Sequence, residues 1–158
     1  IEPYGYKIDY QYYCEFCNGR HYTDFLPQIT TSDKSILVDM HNRKKEAYNK
    51  YLSYGRINQA LVDIIKKRGK DCKAALVTTA SRQNTYDILK QYNIVDIFDL
   101  ILTQEDITKS KPDPEGFLKA MSKYNVKAQE CLIFEDSNVG IEAAEKTGAT
   151  VFVVKGFN

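Results

Sequence analysis

The first 69 residues carry apolar side chains at helical spacing, whereas the rest of the chain carries short apolar runs of strand length. A spacing of three and four residues between apolar positions is typical of a helix with one face against a core. In the first part this pattern predicts helices over residues 9–17, 22–29, 32–52 and 58–67. Ser32 is placed to cap the longest of them. We therefore expect a small helical domain over residues 1–69, without a strand.

Residues 70–158 alternate between apolar runs and helical segments. The runs that predict strands cover residues 73–78, 98–103, 131–134 and 150–154. Ser81 and Asp113 are placed to cap two of the helices between these runs. Strand and helix in alternation, with short connections, predict right-handed crossovers and a parallel sheet. The expected fold class is α/β, a Rossmann-like parallel sheet with helices on both faces, preceded by the helical domain.

Composition and charge narrow the function classes. With 43% hydrophobic and 27% charged residues among 158, the chain can bury a core as one compact domain, or one domain with a small insertion. The formal net charge is +1, and basic residues do not cluster around aromatic ones, which argues against a nucleic-acid partner. No apolar run approaches the roughly 20 residues of a membrane span, and no signal peptide is visible. We expect a cytoplasmic protein with no membrane partner.

Cys14 and Cys17 have the spacing of a redox or metal-binding pair. No second pair exists to complete a zinc site. Because the segment also reads as helix, with the two thiols three residues apart on one face, packing in the helical domain is the favoured interpretation. A redox or metal role is the alternative.

Two adjacent acids, Glu135 and Asp136, directly follow the apolar run Cys131–Phe134. A short polar loop and a helix that opens through Gly140 come next. This order places both carboxylates at the carboxyl end of a buried strand, where open α/β sheets bind ligands. Carboxylate oxygens are hard ligands that suit Mg²⁺ bound together with a phosphate. The alternative is that the pair only caps a helix start, where acidic residues are favoured.

Two further polar groups come after strand ends. The hydroxyls and backbone amides of Thr79, Ala80 and Ser81, at a helix start, suit a phosphate. Lys111, after the next strand, would neutralise phosphoryl oxygens. Each group has a simpler explanation, Ser81 as a helix cap and Lys111 as a solvated loop lysine. Their order on successive strands favours a phosphoryl-transfer cleft that lacks only a nucleophile.

These motifs resemble those of the haloacid dehalogenase superfamily of phosphatases, in particular its β-phosphoglucomutase-like branch with a helical cap. Residues 76–81 look like the second motif of that superfamily, residues 111–114 like the third and residues 135–144 like the fourth. The resemblance covers nearly the whole chain. It implies an incomplete helical cap domain over residues 1–69 and an α/β core over residues 70–158.

The resemblance also implies roles for the site residues. The expected phosphate-binding set is Thr79, Ala80, Ser81 and Lys111, and the expected Mg²⁺ ligands are Asp136 and Glu135. Thr79 and Lys111 are also expected to be catalytic. In the cap, Lys44 lies where this branch often places a substrate-binding lysine, and Arg20 and His21 lie in a turn that would approach the cleft. A solvated helix face and loop is the alternative for these three.

The chain departs from the superfamily at its first motif, an apolar strand that ends in Asp-x-Asp and supplies the nucleophile. No such pattern occurs before residue 30. The nearest match ends at Asp39, but a stretch that resembles a cap helix follows it directly. The distance from Asp39 to the second motif also leaves too little room for a cap domain. Since the sequence starts at Ile1 rather than at a methionine, we expect that this central strand is missing from it. The strands at 73–78 and 131–135 would flank the missing one, and each would expose an unpaired edge.

The expected function is that of a Mg²⁺-dependent phosphatase or phosphomutase that acts on a small phosphorylated metabolite such as a sugar phosphate. A phosphoaspartate would form on an aspartate outside this sequence. The alternative is a catalytically inactive protein that binds phosphate and metal without turnover. The sequence does not distinguish phosphatase from mutase, and it does not indicate the oligomeric state.

Overall fold

The first part of the chain is helical in the structure, a computed structural model that describes residues 1–155 apart from the side chains of Asn49 and Ser53. Its α-helices are α1 (Tyr10–Tyr12), α2 (Tyr22–Ile29), α3 (Lys34–Tyr51) and α4 (Gln59–Lys66). A π-helical segment, Tyr13–Cys17, continues α1. The predicted helices are therefore confirmed, with α2 at its predicted bounds.

The N-cap residue of α3 differs from the prediction by one position. Asp33, not Ser32, is the N-cap, and its carboxylate accepts the amides of Ser35 at 2.8 Å and Ile36 at 3.4 Å. Both residue types cap helices well, so the sequence alone does not decide between neighbours. The hydrophobic core of the helical part consists of Leu26, Leu37 and Met40, which α2 and α3 contribute.

The second part alternates between strands and helices, as predicted. Its strands are β1 (Ala75–Val77), β2 (Leu100–Leu102), β3 (Leu132–Glu135) and β4 (Thr150–Val153). Its helices are α5 (Arg82–Gln91), α6 (Glu115–Tyr124) and α7 (Asn138–Glu145). Ser81 is the N-cap of α5, as predicted. Pro114, one residue after the expected Asp113, precedes α6, although the Asp113 carboxylate still accepts the Glu115 amide at 3.0 Å.

The four strands form two parallel pairs. Leu76 of β1 lies opposite Ile101 of β2, and Ile133 of β3 lies opposite Val151 of β4. Within residues 1–155, no ladder of hydrogen bonds joins β1 to β3. Each of these two strands therefore has one unpaired edge, which is the arrangement expected of strands that flank a missing one.

Helices cover both faces of the β1–β2 pair. Val77 points to a core that includes Phe117 of α6, and Leu76 points to a second core with Val62 of α4 and Leu89 of α5. Adjacent strand residues face opposite sides of a sheet, so these cores lie on opposite faces.

The β3–β4 pair packs one face on α7, through Ile133 against Ala143 and Ala144. On its other face the rings of Phe134 and Phe152 stack at 5.2 Å and stay partly exposed. No helix among residues 1–155 is long and apolar enough to cross a membrane.

Candidate active site

Lys111 joins the ends of β1 and β3. Its ammonium contacts the Glu135 carboxylate at the end of β3 and lies 3.4 Å from the Val77 carbonyl oxygen at the end of β1. The Phe117 ring centroid is 4.9 Å from the same nitrogen. Lys111 and Glu135 are only 9% and 8% exposed. The lysine predicted as a site residue is therefore buried and fixed between two strand ends rather than solvated.

Glu135 receives further hydrogen bonds from the start of α7. Its carboxylate accepts the Ser137 hydroxyl at 3.3 Å and the Asp136 amide at 3.2 Å. The same carboxylate lies so close to Gly140 that a Cβ there would collide with it. Gly140 is needed because of this close approach, which holds Glu135 against the helix start.

Asp136 is exposed at the same strand end. Within residues 1–155, no group of three or more His, Cys, Asp or Glu side chains is arranged to hold a metal ion. Mg²⁺, however, is commonly bound by one or two carboxylates together with water and phosphate oxygens. Asp136 fits such a shared site. Glu135 is already engaged by Lys111, so it is the less available of the two, and metal binding by both stays a prediction.

The segment after β1 uses part of its hydrogen-bonding capacity internally. The Ala80 amide donates to the Thr78 hydroxyl at 3.1 Å. The Ser81 hydroxyl accepts the Asn84 amide at 3.4 Å as a helix cap, and Ser81 is buried. The cap explanation of Ser81 thus holds in the structure. A phosphate-binding role for Ala80 and Ser81 stays a prediction. The Thr79 hydroxyl points towards the helical part of the chain.

The turn at residues 18–21, here called the cap turn, lies against the core. The Thr79 hydroxyl donates to the Gly19 carbonyl oxygen at 3.3 Å. Gly19 has φ +76°, and a Cβ there would lie 2.7 Å from the Ser137 Oγ and 2.9 Å from Val139. Only glycine combines this left-handed backbone with so close an approach. The cap turn therefore contacts the segments that follow both β1 and β3.

His21 adds a third contact between the cap turn and the core. Its Nε2 lies 2.6 Å from Nε2 of Gln104, in the segment after β2. Its Nδ1 lies 2.7 Å from the Thr23 hydroxyl. The sequence does not indicate Gln104 as a site residue, because a single glutamine in a loop carries no recognisable pattern.

Arg20 and Lys44 both lie near the buried Cys17 thiol. Burial raises the pKa of Cys17, and the positive charges of Arg20 and Lys44 oppose that rise. Burial lowers the pKa of Lys44, because loss of water disfavours its charged form. Both predicted cap residues are thus close enough to Cys17 for their charges to affect its thiol. It also places Cys17 in the cap interior, and both Cys14 and Cys17 are free thiols.

A continuous set of contacts links the predicted core residues. Thr79 contacts Gly19, Gly19 contacts Ser137, and Ser137 donates to Glu135. Glu135 in turn contacts Lys111. The cap turn is therefore adjacent both to Thr79 and to the segment that carries Glu135. That Thr79, Lys111, Glu135 and Asp136 share one site stays a prediction.

Comparisons with known proteins show which family the chain resembles. A family model described as haloacid dehalogenase-like hydrolase matches residues 1–154. A haloacid dehalogenase-like hydrolase domain-containing protein of Arabidopsis thaliana is 30% identical over 138 residues, which cover 80% of this chain and 42% of that protein. A phosphorylated carbohydrates phosphatase of Thermotoga maritima is 28% identical over 121 residues, covering 77% of this chain and 55% of that protein. The chain thus spans about half the length of these relatives.

A solved structure shares the fold. The β-phosphoglucomutase of Clostridium difficile superposes with a TM-score of 0.81 at 23% identity, covering 99% of this chain and 74% of the other. At this identity the likeness concerns the fold alone. It extends over the helical part and the α/β part together.

Proposed function

Because this chain belongs to the haloacid dehalogenase-like hydrolase family, we propose that it carries the phosphate and Mg²⁺ site of a phosphatase or phosphomutase. The observation that carries the proposal is the buried Lys111 ammonium, held between the Glu135 carboxylate and the Val77 carbonyl oxygen. A lysine fixed in this way at a strand end is suited to a phosphoryl group, because its charge is in place before the ligand arrives.

Each residue of the proposed site would have a separate role. The Thr79 hydroxyl would donate a hydrogen bond to a phosphoryl oxygen. Lys111 would offset the negative charge on the same group, and Glu135 would keep the ammonium in position. Asp136 would hold Mg²⁺, which when bound neutralises phosphoryl oxygens and favours attack at phosphorus. Ser137 and Gly140 would maintain the geometry of Glu135.

The nucleophile is proposed to be an aspartate outside this sequence. Its strand would pair with the free edges of β1 and β3 and so bring the carboxylate close to Lys111. Attack of that carboxylate on phosphorus would form a phosphoaspartate as the bond from phosphorus to the substrate oxygen breaks, and the leaving oxygen would take a proton from water to become a hydroxyl. Water would then discharge the enzyme in a phosphatase, and a substrate hydroxyl would do so in a mutase.

The proposed substrate is a small phosphorylated metabolite, such as a sugar phosphate. The name of the Thermotoga maritima relative, a phosphatase of phosphorylated carbohydrates, supports this class. The neighbouring basic side chains of Arg20 and Lys44 would contact the part of the substrate that does not react. A cytoplasmic location remains part of the prediction.

The second candidate is a binding protein without turnover. It would use the same buried Lys111 ammonium to hold phosphate. Both candidates share the phosphate site, and they differ only in whether an aspartate attacks the bound phosphate.

Hydrolysis of 4-nitrophenyl phosphate separates the two candidates. The intact protein, with whatever residues precede Ile1, is assayed with Mg²⁺ and with excess EDTA. The proposal expects Mg²⁺-dependent turnover that falls at least a hundredfold in Lys111→Ala, whereas Lys109→Ala, which alters a neighbouring exposed lysine, retains it. Absence of turnover with intact phosphate binding would identify the binding protein. Absence of both would overturn the proposed function.

A further inference from the structure

Gln104 is fixed to the segment that carries Thr79. Its backbone amide donates to the Ala80 carbonyl oxygen at 3.0 Å. The next residue, Glu105, accepts the Arg82 amide at 2.9 Å. These contacts tie the segment after β2 to the segment after β1. The Gln104 side chain therefore extends from a rigid base towards the cap turn.

The side chain of Gln104 favours one tautomer of His21. Its amide nitrogen, 2.6 Å from His21 Nε2, donates to that nitrogen when the ring carries its proton on Nδ1. The imidazole proton then resides on Nδ1 and is donated to the Thr23 hydroxyl at 2.7 Å. That hydroxyl in turn donates to the Asp24 carboxylate at 3.1 Å. Every donor in this series has an acceptor, which supports a single direction of hydrogen bonding from Gln104 to Asp24.

The rest of the cap supports the His21 ring. Tyr22 lies against it with ring centroids 4.6 Å apart, and the Tyr22 ring stacks on His41 of α3 at 4.0 Å. The position of the His21 ring is therefore linked to α3 through the packed rings of Tyr22 and His41.

The docked cap turn uses the hydrogen of the Thr79 hydroxyl. A threonine hydroxyl has one proton to donate, and in the structure it is donated to the Gly19 carbonyl oxygen. A phosphate that accepts this proton takes it from the Gly19 carbonyl oxygen. The docked cap turn and a phosphate at Thr79 therefore compete for the same proton.

We propose that Gln104 is a positioning residue whose hydrogen bond to His21 latches the cap turn onto the core and so controls access of the phosphate to Thr79. The access part of this inference rests on the proposed phosphate site. The latch itself rests only on the contact between Gln104 and His21 and on the hydrogen bond from Thr79 to Gly19.

Nitrogen-15 NMR of the imidazole rings tests the latch in the 158-residue chain. At neutral pH, His21 of the wild type is expected to carry its proton on Nδ1. In Gln104→Leu the proton should move mainly to Nε2, the form that free histidine prefers. In Gln104→Glu, Nε2 should also carry a proton, because a carboxylate can only accept. The control, Gln83→Leu, removes a hydrogen bond to Asp87 on α5 and should leave the His21 spectrum unchanged.

Titration with inorganic phosphate in the presence of Mg²⁺ tests access. Loss of one hydrogen bond should free Thr79 and tighten phosphate binding in Gln104→Leu by about two- to tenfold. The control should bind as the wild type does. Equal affinity in Gln104→Leu and wild type, or a wild-type His21 protonated on Nε2, would overturn the proposal. If His21 responds as expected but neither protein binds phosphate, the latch stands and the proposed phosphate site fails.

Discussion

The Lys111 ammonium contacts the Glu135 carboxylate between β1 and β3, two strands that do not pair with each other within residues 1–155. Both residues are less than one-tenth exposed, at 9% and 8%. A buried ion pair of this kind adds little net stability, but removal of one partner leaves the other charge uncompensated. The pair therefore matters for stability as well as for the site.

Lys111→Ala is expected to lower the free energy of unfolding by about 3–5 kcal/mol, because the Glu135 carboxylate would stay buried without its partner. The double variant Lys111→Met with Glu135→Gln should lose less than the sum of the losses in the single variants Lys111→Met and Glu135→Gln. Urea unfolding measures both effects. Lys73→Ala is the control, because its half-exposed ammonium lies 4.0 Å from Asp99 and should contribute at most about 1 kcal/mol. Equal effects of Lys111→Ala and the control would contradict the pair's role.

Gly140→Ala is expected to destabilise the chain by about 1–3 kcal/mol, because the new methyl group would collide with the Glu135 carboxylate. The matched control is Gly69→Ala, since a Cβ at Gly69 would meet no atom within 4 Å. Thermal or urea unfolding compares the two variants. A Gly140→Ala protein as stable as the control would show that Glu135 is not held against the start of α7.

The stability of the cap should depend on pH through His41. Burial lowers the pKa of His41, and the charges of Lys45, Lys44 and His21 lower it further. Above the unfolded value of about 6.5 the ring is neutral in both states, and His41 adds no pH dependence. As the pH falls below that value, the unfolded chain binds a proton more readily than the folded one, so stability decreases until the lower folded pKa is passed.

His41→Phe should weaken this dependence, because phenylalanine can still stack on Tyr22 but cannot bind a proton. Urea unfolding at pH 7.5 and pH 5.5 is the measurement. The wild type should lose more stability between these values than the variant does. The same loss in both proteins would show that His41 is not responsible.

Glu115 should contribute stability that is lost in acid. The pKa of its carboxyl falls to about 2, because it accepts hydrogen bonds from the Lys119 ammonium, from the Thr108 hydroxyl and amide, and from the Lys109 amide. With the folded value lowered, this contribution is complete above about pH 4.5 and decreases as the pH falls towards 2. These contacts also hold the segment that leads to Lys111.

Glu115→Gln removes the titrating group but keeps most of the shape. Its unfolding free energy should change less between pH 5 and pH 3 than that of the wild type. Identical changes would argue against the cluster around Glu115. Glu142→Gln, which alters an exposed carboxylate paired with Lys146 at 2.8 Å, is the matched control.

Much of the fold could be predicted because its signals are local. The helical spacing of residues 22–29 and the apolar run before Glu135 each lie within a few positions of one another. The predicted N-cap of α3 is wrong by one residue, because Ser32 and Asp33 are adjacent and equally suitable. The position of Ser81 predicts both a helix N-cap and a phosphate-binding residue, and the structure confirms that it is the N-cap of α5.

The contacts that assemble the site join residues far apart in the chain. Thr79 meets Gly19 across 60 positions, and Gln104 meets His21 across 83. No periodicity or spacing reports such a contact, because it depends on how the helical part packs on the strands. The motifs predicted that Lys111 and Glu135 lie at one edge, but not that they form a buried pair.

Binding of inorganic phosphate to the 158-residue chain, measured by calorimetry with and without Mg²⁺, tests the central claim most directly. If Thr79, Lys111 and Asp136 share one site, phosphate should bind only with Mg²⁺. Binding should weaken at least tenfold in Thr79→Val, Lys111→Ala and Asp136→Asn, whereas Lys109→Ala should bind as the wild type does. Phosphate binding that ignores Mg²⁺ and these three substitutions would contradict a common phosphate and metal site.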